Sequence, residues 1–293
     1  MRGNTNLLNG LNVSTIFSLA RLHVYMPICF FSTIVGLHIA GNSDGLVRLL
    51  TIGLANTFAL VATFAFNDAE DAPDDILART TRNVIALGKV SKGTGYFVAA
   101  VAGAISLSLS IIAGVTVCLI ILAILIAAFL YSWRPFRIKA MPFWDVFIHA
   151  IVGGLIFLSS AWSSHEGVLW GNRVLPVSLI FASGTVLALL NHQLYEYEDD
   201  LGANIKTTVI VLGKRKTYWI VGFIFFLLSS LIINEYRSGV FPFISIVSFF
   251  VVAGSLILLS MVLPKKAADA SKRMVPWATN AGVASAILTW YIA

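Results

Sequence analysis

Long apolar runs separated by short polar loops make up nearly the whole chain. Runs long enough to cross a hydrocarbon core of roughly 30 Å can be drawn nine times, over 14–40, 46–67, 93–114, 115–131, 143–163, 174–195, 218–234, 241–263 and 277–293. Because a lipid-exposed backbone must satisfy its own hydrogen bonds, each run is read as a transmembrane helix. The pattern therefore predicts an all-α, polytopic membrane protein. The third and fourth runs nearly touch at Gly114, which predicts an antiparallel hairpin. The first run is too long for the apolar core of a signal peptide and lacks a small-residue cleavage site, so it is read as a retained span. No stretch outside the runs is large enough for a second domain, and 1–293 is taken as a single membrane-embedded unit.

The polar interruptions are not uniform. The second run ends in Asn67 and continues as NDAEDAPDD to Asp75, and the sixth is followed by EYEDD from Glu196 to Asp200. These two stretches hold five and four carboxylates, nine of the chain's fourteen. A shift of 125 positions carries Asp71 onto Glu196, Asp74 onto Asp199 and Asp75 onto Asp200, and the same shift carries VIALGK at 84–89 onto VIVLGK at 209–214. Agreement of an acidic pair and a second motif in one ungapped register is read as an internal duplication of a four-helix unit.

Composition sharpens this picture. Residues are 58% hydrophobic and only 12% charged, with a mean hydropathy of +0.87, whereas an average soluble domain carries about 25% charge. The net charge of +6 invites a nucleic-acid reading, but the cations are distributed as in a membrane protein. Arg79, Arg82, Lys89 and Lys92 follow the second span; Arg134, Arg137 and Lys139 follow the fourth. Lys206, Lys214, Arg215 and Lys216 follow the sixth, and Lys265, Lys266, Lys272 and Arg273 the eighth. The other side keeps Arg48, Arg173 and Arg237. The positive-inside rule then puts the N-terminus, these loops and both acidic stretches in the cytoplasm, and the C-terminus on the opposite side. Cys29 and Cys118 lie inside apolar runs without metal-ligand spacing and read as packing residues.

Polar groups within the spans are candidates for chemistry. Arg21 precedes His23 and Pro27 in the first span, and either snorkels to the headgroups or faces an anionic ligand. On a helix Asn67, Asp71 and Asp75 share one face, although Pro73 is expected to kink the helix and bring Asp75 in from a turn. Tyr131 to Lys139 forms a loop with three cations and several aromatics, the composition of an interfacial anchor. Asp145 and His149 stand at i,i+4, as a relay or as a helix-end pair. Asn191, His192 and Gln193 give the sixth span a polar last turn that belongs toward the bundle interior. The last three spans read as scaffold.

Packing so many carboxylates at one membrane surface is unfavourable unless a cation joins them. All-oxygen ligands without nearby His or Cys favour a hard divalent ion, Mg²⁺ before Zn²⁺. Mg²⁺ tends to bridge carboxylates to substrate phosphates, and Arg79, Arg82, Arg137, Lys139 and Lys206 would suit a diphosphate. With an apolar bundle above, the natural substrate is a lipid diphosphate. Two competing readings are solvated acidic loops and a divalent-cation transporter. The recurrence of ordered carboxylates counts against the first, and their position at helix ends rather than at the bilayer midplane counts against the second.

At these residues the chain resembles the UbiA-type intramembrane prenyltransferases. The family's N-D-x-x-D-x-x-x-D motif corresponds to Asn67, Asp68, Asp71 and Asp75, followed by Arg79 and Arg82. Its D-x-x-x-D motif and the K-T that follows correspond to Glu196, Asp200, Lys206, Thr207 and Thr208, and its Y-S-x-x-P-x-R-x-K segment to Tyr131–Lys139. Three positions depart from the pattern: Glu196 replaces the usual Asp, Asn83 stands where many members have Pro, and Asn204 where Gly is common. The resemblance implies nine helices around a central cavity, and transfer of a prenyl group from an isoprenyl diphosphate, held through two Mg²⁺ ions, to an often aromatic acceptor. It implies that Asn67, Asp68, Asp71 and Asp75 hold one metal and Glu196 and Asp200 the other. Arg79, Arg137, Lys139 and Lys206 then bind the diphosphate. Among these, Asp71, Asp75, Glu196 and Asp200 carry the catalytic assignment.

Breaking an allylic C–O bond makes a carbocation and a diphosphate. Catalysis therefore means stabilising leaving-group charge and keeping water from the cation. Phe64, Phe66, Tyr131, Phe147, Tyr195 and Tyr197 are the aromatic candidates for cation–π support. An intramembrane terpene cyclase would use the same site without an external acceptor. Neither the acceptor nor the prenyl length is written in the sequence; Arg21 would suit an acceptor carboxylate, and no protein partner is inferable.

Overall fold

The computed structural model describes residues 19–41, 45–77, 83–163, 173–202 and 205–262, with scattered positions between 274 and 289. Among the described residues the elements are ten α-helices and one 3₁₀ turn. In chain order α1 spans Leu22–Ile39, α2 Gly45–Leu77, α3 Lys92–Ala113, α4 Val115–Ser132 and, after the 3₁₀ turn Ile138–Ala140, α5 Trp144–Ala161. They continue with α6 Val174–Tyr195, α7 Tyr197–Gly202, α8 Thr208–Leu212, α9 Lys214–Arg237 and α10 Phe243–Val262.

Six of these helices, α2 to α6 and α9, are long and apolar enough to cross a membrane. They coincide with the second to seventh predicted spans. The first and eighth coincide with α1 and α10, whose apolar stretches Tyr25–Ile39 and Phe243–Ser255 are shorter. The ninth, 277–293, falls largely outside the described residues. The described residues thus support six spans where the sequence predicts nine. As predicted, α3 and α4 form a hairpin about Gly114, whose φ of 132° is one that glycine alone adopts readily.

The helix that matters most is α2. Its 33 residues extend about 50 Å at 1.5 Å per residue, so it outreaches a hydrocarbon core of about 30 Å. Asp75 does not come in from a turn after Pro73, as the sequence suggests; the chain stays helical to Leu77. Packing supplies the reason. Ala65, Ala69 and Ala72 are buried together with Val84, Ile85 and Val90 of the returning chain and Ala99 of α3. These small residues let the two segments approach closely enough to hold the last turns.

Two apolar cores flank α1. One joins Cys29, Ile34 and Leu37 of α1 to α2, α4 and α5, and the other joins Val35 of α1 and Phe157 of α5 to α6, α8, α9 and α10. The approach of α1 to α5 depends on Gly36, where a methyl group would stand 2.9 Å from the main-chain nitrogen of Ala161. Between the helices Asn56 of α2 donates to Ser159 Oγ of α5 at 2.9 Å. This satisfies an amide that would be costly to bury alone in an apolar bundle.

Candidate active site

The acidic end of α2 is ringed by partners from three directions. On one side Arg21, at the start of α1, pairs with Asp68 and lies over the Phe64 ring, 5.0 Å from its centroid. Tyr25 stacks on the same ring at 4.1 Å between centroids. On a second side Asn83 donates to Asp75 Oδ2 at 2.8 Å and to the Asp68 carbonyl at 2.7 Å. On the third, the loop after α4 supplies the cations: Lys139 pairs with Asp71, Arg137 with Asp74, and Arg134 with Asp74 at 3.1 Å. Asn67 donates to Ser132 Oγ at 3.1 Å, where α4 ends. Asn67 and Asp71 therefore face the cationic loop, whereas Asp75 is engaged by Asn83.

That loop is fastened by Glu70, which is buried. One carboxylate oxygen accepts from the Tyr96 hydroxyl of α3 and the other from the Arg134 main-chain nitrogen at 3.2 Å; Arg134 Nε also donates to the Glu70 carbonyl at 3.1 Å. The chain then turns through Arg137 in a left-handed conformation, φ 44° and ψ 53°. The side chain of Arg137 reaches Asp74 through Nη2, while its Nε is buried without a hydrogen-bond partner among the described residues.

In the second acidic stretch α6 ends at Tyr195, Glu196 caps it, and α7 carries Asp200. Glu196 meets His192 at 3.0 Å, and its carbonyl accepts from the Asp200 main-chain nitrogen at 2.8 Å. Glu198 turns outward to Lys214, which also covers the Tyr197 ring at 4.6 Å. Lys206 is exposed, in the extended segment before α8. Below this stretch Asp145 is fully buried, and its carboxylate is met by Gln193 and Thr208. Its expected partner His149 contacts instead the Asp145 main-chain carbonyl, through Nδ1 at 3.0 Å.

The two stretches belong to one electrostatic neighbourhood. The Tyr131 hydroxyl, at the end of α4, lies within electrostatic range of Asp71 from the first stretch, Asp200 from the second and Asp145. Backbone strain gathers at the same place. Among the described residues the non-glycine positions with positive φ are Arg21, Arg137 and Phe143, and all three border these contacts. A left-handed non-glycine residue costs about 1 to 3 kcal/mol, and such strain persists where surrounding structure fixes it, often at working sites. No group of three His, Cys, Asp or Glu among the described residues forms a ready metal cage; Asp68, Asp71 and Asp74 of α2 are instead paired with cations.

The structure brings some of the expected site residues together and not others. Asn67, Asp68, Asp71 and Asp75 share the end of α2 with Arg137 and Lys139, and Glu196 and Asp200 share the second stretch, whereas Arg79 lies outside the described residues. Of the aromatic candidates, Phe66 packs on Tyr96 and Phe129, and Phe147 is exposed beside Trp144. Phe147 also lines an apolar cleft of about 410 Å³ among α5, α6, α8 and α9 that none of the acidic residues enters. The clamping roles of Glu70, Tyr96 and Thr208 escape sequence reasoning. The polar last turn of α6 was the signal for Gln193.

Comparison with solved structures places this arrangement in a known fold. A UbiA homologue from Archaeoglobus fulgidus, bound to GPP and Mg²⁺, superposes with a TM-score of 0.67 at 17% identity, over 92% of this chain and 99% of that one. A UbiA homologue from Aeropyrum pernix K1, in its apo form, gives 0.66 at 16% identity over 90% and 94%. A digeranylgeranylglyceryl phosphate synthase gives 0.61 at 16% over 94% and 97%. No curated protein matches the chain in sequence. Residues 29–280 match the UbiA prenyltransferase family, and the chain belongs to that family.

Proposed function

We propose that the protein transfers an isoprenyl group from an allylic isoprenyl diphosphate to a lipophilic or aromatic acceptor within the membrane, with Mg²⁺ as cofactor. The observation that carries this reading is the docking of Arg137 and Lys139 on Asp74 and Asp71 at the acidic end of α2. The relatives bound to GPP or DMAPP with Mg²⁺ support the same chemistry.

Oxygen donors from Asn67, Asp68, Asp71 and Asp75, and from Glu196 and Asp200, suit a hard divalent ion. Bound there, Mg²⁺ would offset the charge that builds on the leaving diphosphate. The ion pairs fit this occupancy through an exchange of partners. Lys139 and Arg137 would move from carboxylate to phosphate oxygens, leaving Asp71 to the metal side of the site and Asp74 to Arg134. Arg79 and Lys206 complete the proposed diphosphate contacts. Arg137 Nε, buried and without a hydrogen-bond partner among the described residues, is a donor available for that role.

Ionisation breaks the allylic C–O bond; the acceptor's nucleophilic atom bonds to the allylic carbon and loses its proton. Phe64, Phe66, Tyr131, Phe147, Tyr195 and Tyr197 remain the candidate aromatic faces, and the surrounding helices exclude water. The acceptor assignment of Arg21 rests on this one cation, held between Asp68 and the Phe64 ring. In this reading nine helices, including those the described residues do not establish, enclose the site, with the N-terminus and both acidic stretches cytoplasmic. The 125-residue offset between the acidic stretches belongs to the same reading, as an internal duplication.

The test is diphosphate release by purified protein given an allylic isoprenyl diphosphate, an acceptor and Mg²⁺. Asp71→Ala or Asp200→Ala, or excess chelator, should abolish it. Full activity in any of these would refute the assignment. A terpene hydrocarbon or alcohol formed without acceptor would identify a cyclase instead, and metal flux in sealed vesicles without a prenyl lipid would identify a transporter.

A further inference from the structure

We infer that Asp145 is a positioning residue that closes the neck of the segment bearing Glu196, Asp200 and Lys206, and thereby fixes where these groups stand. Its effect on catalysis rests on the prenyl-transfer reading above; its effect on the segment does not.

A carboxylate with no exposure, inside a bundle of apolar helices, is costly unless its oxygens are satisfied. Those of Asp145 are filled by donors. Oδ1 accepts from the Val146 main-chain nitrogen at 2.8 Å and from the Thr208 hydroxyl, and Oδ2 from Gln193 Nε2 at 2.7 Å and from the Thr208 main-chain nitrogen at 3.1 Å. An ionised carboxylate offers about four lone-pair sites, so this one has no capacity left for a metal or a proton relay. Its work is mechanical, and it joins α5, α6 and α8.

The two outside partners bracket the second acidic stretch. Gln193 lies three residues before Glu196 and Thr208 eight after Asp200. Gln193 Oε1 also accepts from the Val209 main-chain nitrogen at 3.3 Å, so residues 194–207 leave and return through one pinned neck. The Thr208 hydroxyl accepts from the main-chain nitrogen of Phe143 at 2.6 Å, where φ is 70°. Phe143 lies four residues beyond Lys139, so the same knot fastens the trailing end of the cationic loop.

The offset of 125 carries Asp68 onto Gln193 and Asn83 onto Thr208. In the first half the neck closes within itself, with Asn83 donating to the Asp68 carbonyl and to Asp75. In the second half the equivalent positions meet through Asp145, brought in from α5. Asp145 is thus a borrowed part that, together with the Gln193–Val209 hydrogen bond, closes the second stretch.

The experiment compares wild-type protein with Asp145→Asn, Thr208→Val and Thr208→Ser in detergent micelles. Each is measured by amide hydrogen exchange without substrate, and by the Mg²⁺ dependence of diphosphate release. Asp145→Asn sets an amide donor against donors, and Thr208→Val removes one; both should speed exchange across 194–212 about tenfold or more while leaving 92–132 unchanged. Both should raise the Mg²⁺ concentration for half-maximal activity by a similar factor, and Thr208→Ser should restore both measures. Should Asp145→Asn yield no folded protein, the Thr208 pair carries the same comparison. Unchanged exchange across 194–212 would overturn the inference. So would faster exchange with unaltered Mg²⁺ dependence, or a loss confined to the fraction of active molecules. Wild-type protein that releases no diphosphate at any Mg²⁺ concentration would overturn the proposed function instead, and the exchange data would still judge the clamp.

Discussion

Asn83 donates through one side-chain nitrogen to Asp75 Oδ2 at 2.8 Å and to the Asp68 main-chain carbonyl at 2.7 Å. Its Oδ1 accepts from the main-chain nitrogens of Ile85 and Ala86, so one buried amide fixes both the returning turn and the last carboxylate of α2. A hydrogen bond to a charged group is worth about 1.5 to 3 kcal/mol. Asn83→Ala should therefore raise the Mg²⁺ concentration for half-maximal activity by about tenfold, a factor that corresponds to about 1.4 kcal/mol. Asn83→Asp, which sets like charges together, should do more harm. Titration of diphosphate release against Mg²⁺ checks both, and equal curves for wild type and Asn83→Ala would dissociate Asp75 from metal binding.

Lys139 and Arg137 sit on Asp71 and Asp74. If these cations pass to phosphate oxygens when substrate binds, their loss should fall on substrate affinity. Lys139→Met should raise KM for the prenyl diphosphate about tenfold or more, the cost of a missing charge-assisted contact. It should also weaken inhibition by inorganic diphosphate by a comparable factor. Lys139→Arg should recover part of both. A Lys139→Met enzyme with normal KM and normal diphosphate inhibition would confine Lys139 to a structural ion pair.

Not every cation near the acidic stretches belongs to this set. Lys214 pairs with Glu198 where both side chains are well exposed, 43% and 73%. Exposed pairs contribute about 0 to 1 kcal/mol, and Glu198 lies outside the proposed ligand set. Lys214→Ala should leave KM and the Mg²⁺ dependence within about twofold of wild type, while Lys206→Ala should raise KM. Steady-state kinetics at two ionic strengths separates the two residues, and a large KM effect from Lys214 would redraw the diphosphate site.

The spans and the acidic motifs were legible because their signals are local. Apolar length marks α2 to α6 and α9, and the spacing of Asn67 and Asp71 marks the face of α2 turned to the cationic loop. What escaped are decisions made between distant segments. Pro73 should disturb a helix, yet buried contacts of Ala69 and Ala72 with the returning chain carry α2 to Leu77. The i,i+4 spacing of Asp145 and His149 suggested a side-chain pair, but partners 48 and 63 residues away take the carboxylate. Glu70 looked like one more acid in a run; burial beside Tyr96 makes it a clamp. Asn83 drew notice only as a departure from the family pattern, because nothing nearby in sequence announces that Asp75 and the Asp68 carbonyl turn toward it.

Glu70 and Tyr96 offer the sharpest separation of support from chemistry. The Tyr96 hydroxyl donates to one Glu70 oxygen, and the other accepts from the Arg134 main-chain nitrogen, so α3 anchors the cationic loop through a residue that itself binds nothing in the proposed site. Tyr96→Phe removes a donor from a buried carboxylate, a loss of about 1 to 3 kcal/mol. Glu70→Gln keeps the shape but lets the amide present a donor to either partner. Each variant should lower thermal stability and slow diphosphate release, with the Mg²⁺ dependence less affected than in Asn83→Ala. Because both act through one hydrogen bond, the double variant should cost less than the sum of the singles, with a coupling of about 1 kcal/mol or more. Additive losses in that cycle would mean that Tyr96 and Glu70 act separately, and that the loop carrying Arg137 and Lys139 is held without α3.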